Sequence, residues 1–384
     1  MNGQGTRFKA VPYVSVAFTN RNDGYGGYLE SRINKFIEYY AYYSNIFPDI
    51  FEFVICDWNP PLDRPKLRDA FDWKKLGRVV HVEVPPHVHR QVAGEHGRKM
   101  LDYYGRNVSA RRGSGEFVLV LNQDIFCSDS IMQAIGRRDL SSHAFYRADR
   151  CDFNYEPCRE LAPQEFEAGA LKNVFAINRR HMPDNSPISI ATTPDNLVAD
   201  GLRYTFREQY DPERGLITCY GSSRRYKTDK TLSYIAKKWS ILKPLLRRYM
   251  PDGEFEAWEK DYSSDIYYRQ FLLHTNASGD FILAPRKAFF DIHGMPETTK
   301  FYMHLDGYAI HQLFAAGYTQ IIFGQGHRVY HADHDRSGRA DFKEQITWEQ
   351  HEAALSNLLR EPKAYQLNDD NWGLANFELP TFRI

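Results

Sequence analysis

The sequence predicts an α/β fold: a doubly wound, mostly parallel (mixed) central sheet flanked by helices, with a helical or irregular insertion and a C-terminal extension. Short apolar runs alternate with helical periodicity over roughly the first third of the chain, the βαβ rhythm of a parallel sheet. Strand and helix patterns return between Asn276 and Phe323. Between these blocks, from Arg150 to about Ser264, the pattern is irregular and broken by Pro-Asp-Asn, Thr-Thr-Pro-Asp and Gly-Ser-Ser turns.

Val11 to Phe18 reads as a first buried strand, ending on Thr19-Asn20-Arg21-Asn22-Asp23. Gly24-Tyr25-Gly26-Gly27 follows, with a spacing that matches no dinucleotide fingerprint. A helix runs from about Tyr28 to Ser44, with Leu29, Ile33, Phe36, Ile37 and Tyr40 on one face. Phe51 to Asp57 is a second strand, stopped by Trp58-Asn59-Pro60-Pro61. Val79 to Val84 is a third. His87 to His96 reads as a solvated loop, since no carboxylate or cysteine is spaced to complete a metal site with its histidines. Residues 97–112 have helical spacing, and Glu116 to Leu121 is a short, fully buried strand bounded by turn signals.

That strand ends on Asn122-Gln123-Asp124, a run of side chains with oxygen ligands. Ligands in open α/β sheets bind at the carboxyl ends of strands. A hard divalent cation there takes oxygen ligands and commonly bridges to phosphate. Asn122 and Asp124 are therefore candidates to hold a metal–diphosphate, with Arg106 and Asn107 brought near by the preceding helix; the other reading is a strand with a polar C-terminal turn. Asp57, at the end of the second strand, can cap the turn that follows it.

Further elements follow: a helix at about Asp129 to Arg138, a strand near Ala144 to Ala148, a strand through Asn276 to Ala284, and a short helix at about Arg286 to Asp291. Lys300 to Ala316 has helical periodicity and is closed by Gly317. Asp306 lies near its start, where the helix dipole favours a carboxylate. A strand at Thr319 to Phe323 leads into Arg328 to Asp335. His327, His331, Asp333, His334 and Asp335 are dense enough to build a hydrolytic metal centre. In the tail, Ile346 to Leu359 reads as helical and the end as extended.

Composition narrows the classes. With 49 basic and 49 acidic residues there is no global drive toward nucleic acid. The 5 cysteines form no Cys-x-x-Cys pair, which fits reduced thiols in a cytosol. MNGQGTRFKA lacks an apolar signal core, and no run approaches ~18 apolar residues. The expectation is a cytoplasmic protein. Residues 224–248 are basic and amphipathic, and suit either a peripheral membrane contact or an insertion helix packed on the core.

Arg106-Asn107, Gly115-Glu116-Phe117 and Asn122-Gln123-Asp124 stand in the order and spacing of the family 2 glycosyltransferases, whose fold is called GT-A, and the stretch resembles their nucleotide-sugar core. Gly105 stands for the family's alanine, and Asn122 for the first aspartate of its Asp-x-Asp. A second block also resembles the family. His293 to Glu297 matches its Gly-Gly-Phe-x-Glu turn, and Leu305-Asp306 matches the Glu-Asp pair opening a helix, with Leu305 in place of the glutamate. Together the blocks cover roughly half the chain.

The resemblance implies an inverting glycosyltransferase of hexosyltransferase type. It would move a sugar from a nucleoside diphosphate sugar, such as a UDP-sugar, to the hydroxyl of a glycan or glycolipid acceptor in polysaccharide or glycoconjugate synthesis. It implies a divalent metal (Mn2+ or Mg2+) at Asp124 and His331, with His334 as the other choice of histidine, and a catalytic base at Asp306. Asp57 would meet the base ring, and Thr19, Arg21, Arg106, Asn107 and Asn122 complete the donor contacts. Residues 10–150 would be the nucleotide-sugar half, and 151–275 an insertion for acceptor or membrane contact. Residues 276–340 would be the acceptor-side half with base and metal histidine, and 341–384 a tail. An inactive nucleotide- or carbohydrate-binding module of the same fold, and a metal-dependent phosphoesterase, are the alternatives.

Overall fold

The computed structural model describes residues 11–94, 98–177, 180–181, 208–211, 216–219, 274–275, 277–299, 305–335, 358 and 363–384. The expected amphipathic helix at 224–248, and the tail helix at 346–359 except for Leu358, lie outside the described residues.

The chain is α/β, with a mixed central sheet flanked by helices. Its parallel core is β1 (Val14–Asn20), β2 (Phe51–Trp58), β3 (Val79–Val84) and β4 (Phe117–Val120), in the order β3-β2-β1-β4. Every residue of these strands is buried. A parallel sheet is covered on both faces, so even the polar residues that interrupt the apolar runs, Ser15, Glu52, His81 and Glu83, are buried. Helix α1 (Leu29–Ile46) lays the expected face, Leu29, Ile33, Phe36, Ile37 and Tyr40, against Val16, Phe18, Phe53 and Ile55. Fully buried side chains such as Ile33 and Phe36 each contribute about 1.5–3 kcal/mol by leaving water. Helix α4 (Asp102–Arg112) covers the opposite face, where Val108 packs with Val54, Cys56, Val80 and Val82. Helices on both faces make the core doubly wound.

The remainder of the sheet is not parallel in the expected proportion. Strand β11 (Ile282–Pro285) lies antiparallel to β4 and to β6 (Ala144–Phe153). Strand β12 (Thr319–Ala332) runs parallel to β6 but antiparallel to β5 (Ile125–Cys127) and β10 (Leu216–Cys219), and β9 (Glu208–Asp211) lies beyond β10. A hairpin of β7 (Val174–Ile177) and β8 (Arg180–His181) leans on β6, and β13 (Thr381–Arg383) closes the far edge against β3. Among the described residues, parallel pairing is thus confined to β3-β2-β1-β4 and to β6-β12. Strands fed by helical crossovers keep their direction, whereas β11 and β13 arrive from long segments and pair reversed.

Several boundaries differ from the sequence reading. Strand β6 continues through Phe153, across the expected 150/151 boundary, so the two expected halves share one sheet. The segment 87–93 is not a solvated loop. It is helix α3 (Pro86–Ala93), begun by a proline at its first position, where no N–H is missed. Val88 and Ala93 are buried beside Val84. His89 is 8 % exposed and accepts a hydrogen bond from Trp58 Nε1 through Nδ1 at 2.9 Å. Burial pushes its pKa down, which suits a neutral acceptor. Beyond Asp124 the chain forms β5, unforeseen because three residues carry too little pattern. Strand β12 runs on past the expected end at Phe323, with a register irregularity between Phe323 and Arg328.

Short helices complete the frame: α2 (Leu67–Ala70), α5 (Asp129–Gly136), α6 (Pro163–Lys172), α7 (Arg286–Asp291) and α8 (Leu305–Ala315). The end of the chain is mostly turns with β13 rather than extended throughout. Trp372 is 1 % exposed, its ring 5.1 Å from that of Phe290, so it packs in the core. No helix among the described residues is long and apolar enough to cross a membrane.

Candidate metal and nucleotide site at the strand tips

Asp57, Asn122, Asp124 and His331, singled out in the sequence, lie at the strand tips of the sheet, whereas Asn107 does not reach them. Sheet register explains how distant residues meet. The β5–β12 pairing sets His331 opposite Ile125, and Ala332 N donates to Asp124 O at 2.9 Å, so His331 arrives beside Asp124. The β6–β12 pairing sets the same histidine opposite Asp152.

Asp124, His331 and His334 form a group whose ligand atoms all lie within 4.8 Å of one another. His331 Nδ1 is 2.8 Å from Asp152 Oδ1. A carboxylate can only accept, and Asp152 is held below the usual carboxylate range: burial pushes it up, but His331 and Arg150 outweigh that. Nδ1 therefore carries a proton, and Nε2 is the ring atom a metal could take. In the same way, His334 Nδ1 donates to Asp335 O at 2.8 Å, and its Nε2 stands 3.2 Å from Asp124 Oδ2. A nitrogen lone pair facing a carboxylate oxygen needs a proton or a cation between them. Asp124 is 3 % exposed, and its Oδ1 has no partner among the described residues. Burial pushes its pKa up, yet His334, His331 and Arg32 together hold it well below the usual range, so it is an anion. Two imidazoles and one carboxylate are a donor set that suits a first-row transition-metal ion better than Mg2+, which prefers oxygen throughout.

A second grouping, Asp152, His331 and Asp333, shares His331. There Asp152 is already balanced by Arg150 Nη2 at 2.8 Å.

A continuous polar network leads from this group to Asp306. Arg150 Nη1 meets Asp280 Oδ2 at 2.5 Å. Asp280 Oδ1 accepts from Asn122 Nδ2 at 2.8 Å, and Asn122 Oδ1 accepts from Arg106 Nη2 at 2.7 Å. Arg106 Nη1 donates to Gly279 O, and Gly279 N donates to Asp306 Oδ2 at 2.8 Å. The departures from the glycosyltransferase pattern gain local reasons. Asn122 gives a proton to one neighbour and takes one from the other; an aspartate there would face Asp280 with like charge. Leu305, 2 % exposed, packs with Ala309 and Ile310, where a glutamate would be buried. A Cβ on Gly105 would lie 2.2 Å from Thr19 Oγ1, so the alanine is excluded by the threonine.

The other candidates separate into two kinds. Asp57 remains a contact candidate. Its Oδ2 accepts from Leu67 N at 2.9 Å, while Oδ1 is buried with no partner among the described residues, and burial pushes its pKa up to about 6. Asn20, opposite it in the β1–β2 register, has an equally buried and unpartnered Nδ2. Arg21 flanks this pair at the rim, with Nε donating to Asn59 O and Nη1 to Asp23, both at 2.8 Å. Thr19 and Asn107 are spent internally. Thr19 Oγ1 donates to Cys56 O at 3.2 Å. Asn107 gives both amide hydrogens to Met295 O and Glu297 Oε1 and accepts from Met295 N, so it pins the 295–297 turn instead of reaching the strand tips. A surface depression beside α1, lined by Tyr28, Ser31, Asn34, Lys35 and Glu38, shares no lining residue with the network.

Sequence reasoning missed Arg32, Arg150, Asp152 and Asp280. Arg150, Asp152 and Asp280 are ordinary charged residues in the chain, and only strand register makes them neighbours. No family model matches this chain, and no curated protein sequence matches it.

Proposed function

We propose that this protein is an inverting glycosyltransferase of the GT-A kind, transferring a sugar from a nucleoside diphosphate sugar to an acceptor hydroxyl. The observation that carries the reading is the grouping of Asp124 with His331 and His334 at the tip of β4, linked through one polar network to Asp306. The motif order from Arg106 to Asp124 supports it.

Asp124, His331 and His334 would hold the divalent ion, which when bound supplies Lewis-acid neutralisation of the leaving diphosphate. Asp152 keeps His331 in the tautomer that offers Nε2. Arg106 adds positive charge beside Asn122, where phosphate or ribose would lie. Asp306 takes the proton of the attacking hydroxyl, on the face opposite the leaving group, which inverts the anomeric carbon. Asp57 Oδ1 and Asn20 Nδ2 offer an acceptor and a donor to the base ring.

The deciding experiment incubates the full chain with Mn2+, a panel of nucleoside diphosphate sugars and simple glycan acceptors, and measures nucleoside diphosphate release. Release that requires both Mn2+ and Asp124 is the expected result. Binding without release across the panel would instead fit an inactive module, and phosphate released from simple esters a phosphoesterase.

Asp57 supplies a pH test. A ring N–H binds the ionised carboxylate, so bound nucleotide lowers the Asp57 pKa from its free value of about 6. By linkage, affinity rises as pH climbs through that value and levels off above it. Calorimetry with UDP between about pH 5 and about pH 7.5 should show this rise, and Asp57→Asn should flatten it. An unchanged slope in the variant removes Asp57 from the base contact.

A further inference from the structure

Arg32, on α1, plays no part in the motif resemblance, yet it reaches the centre of the site. Its side chain is 1 % exposed, and Nη1 donates to Asp124 Oδ2 at 2.8 Å. Nη2 donates to Tyr25 O at 2.8 Å and Gly27 O at 3.2 Å. One guanidinium therefore neutralises the candidate metal carboxylate and also tethers the glycine loop after β1. The loop packs on the cation ligands as well. Gly26 has φ +75°, and a Cβ there would lie 2.5 Å from His334 Nδ1 and 2.9 Å from Arg32 Nη2. The Tyr25 ring meets the His334 ring edge-on, with centroids 5.5 Å apart.

A divalent ion bound by Asp124 would share that carboxylate with a buried guanidinium. Two cations on one carboxylate in a poorly solvated site repel strongly. Either the ion binds weakly, or Arg32 withdraws and its two carbonyl bonds to the loop go with it. We propose that Arg32 is a resident counter-cation that competes with the divalent ion for Asp124 and couples arrival of the ion to release of the Gly24–Gly27 loop. The inference rests on the metal reading above and adds a device that controls it.

The test titrates Mn2+ into the full chain without nucleotide, reading free Mn2+ by electron paramagnetic resonance. Wild type, Arg32→Gln, Arg32→Lys and Asp124→Asn are compared, each checked for folding by circular dichroism. Arg32→Gln, which removes the competing charge, is expected to bind Mn2+ at least about ten-fold more tightly, and Arg32→Lys to stay near wild type. Chymotryptic cleavage at Tyr25 to Tyr28 should be accelerated by Mn2+ in wild type and not in Asp124→Asn. That second readout holds even if Arg32→Gln fails to fold. Wild-type binding that is lost in Asp124→Asn but is equal or weaker in folded Arg32→Gln overturns the role of Arg32 and leaves the metal reading standing. Loop cleavage indifferent to Mn2+ does the same. No Mn2+ binding by wild type, or equal binding by Asp124→Asn, overturns both.

Discussion

Asp306→Asn is expected to lower nucleoside diphosphate release by about 10³-fold, while Mn2+-dependent nucleotide binding stays within about three-fold of wild type. The asymmetry follows from geometry. Asp306 Oδ2 accepts from Gly279 N at 2.8 Å and Oδ1 from Gly307 N at 3.0 Å, so backbone donors aim the carboxylate from two sides. Those bonds leave each oxygen a further lone pair for a proton from an acceptor hydroxyl. An asparagine keeps one such acceptor and the side-chain shape but cannot take the proton. It also turns its NH2 toward one of the two backbone N–H groups, which costs about 1 kcal/mol of local stability and does not touch Asp124. Steady-state release with a productive donor and acceptor gives the rate, and calorimetry with nucleoside diphosphate and Mn2+ gives the binding. A variant that releases diphosphate within about three-fold of wild type would make Asp306 only a helix-start carboxylate.

What could be read from the chain was local, and what could not was register. The run Glu116–Leu121 announced a buried strand because burial on both faces leaves no polar alternation along it, and Val79–Val84 did so through its β-branched valines although His81 and Glu83 interrupt it. The periodicity of Leu29, Ile33, Phe36, Ile37 and Tyr40 announced the face of α1. Asp57 and Asp124 stood out as carboxylates at strand ends, and both lie buried there with an unpartnered oxygen. Asn122 and Leu305 looked like defects in a motif. They make sense only beside Asp280 and the apolar packing of α8, residues the linear pattern does not bring together. Asn107 shows the converse: its place in the motif suggested a ligand contact, but Gly294 and Met295 fold back onto its amide. Strand β5 and the reversed β11 set the arrangement of the site: β5 is too short to carry a pattern, and the strand expected through Asn276 to Ala284 begins only at Ile282 and gave no sign of its direction. Arg32 was hidden on a helix whose polar positions ordinarily face water.

The largest effect on stability is expected at Arg150, the charge around which the buried part of the site closes. Its guanidinium meets Asp280 at 2.5 Å and Asp152 at 2.8 Å, and its own side chain and Asp152 are each 3 % exposed, Asp280 8 %. Replacing it by methionine preserves volume but leaves two buried carboxylates without that partner, a change that costs about 3–5 kcal/mol when one side of a buried pair is removed. Urea unfolding of Arg150→Met should show that loss as a lower midpoint at unchanged slope. The sign with pH is fixed by Asp152, whose pKa is depressed in the folded protein with Arg150 among the causes. Its contribution is present above the unfolded pKa of about 3.9 and is lost as pH falls through the lower folded value. The gap between wild type and Arg150→Met should therefore narrow as pH drops below about 4. Adding Asp280→Asn to the variant should recover part of the loss, since it removes one of the stranded charges and still offers Asn122 an acceptor oxygen. If Arg150→Met unfolds within about 0.5 kcal/mol of wild type at neutral pH, the network between Asp124 and Asp306 is not held by this charge, and the two ends of the site are positioned by the sheet alone.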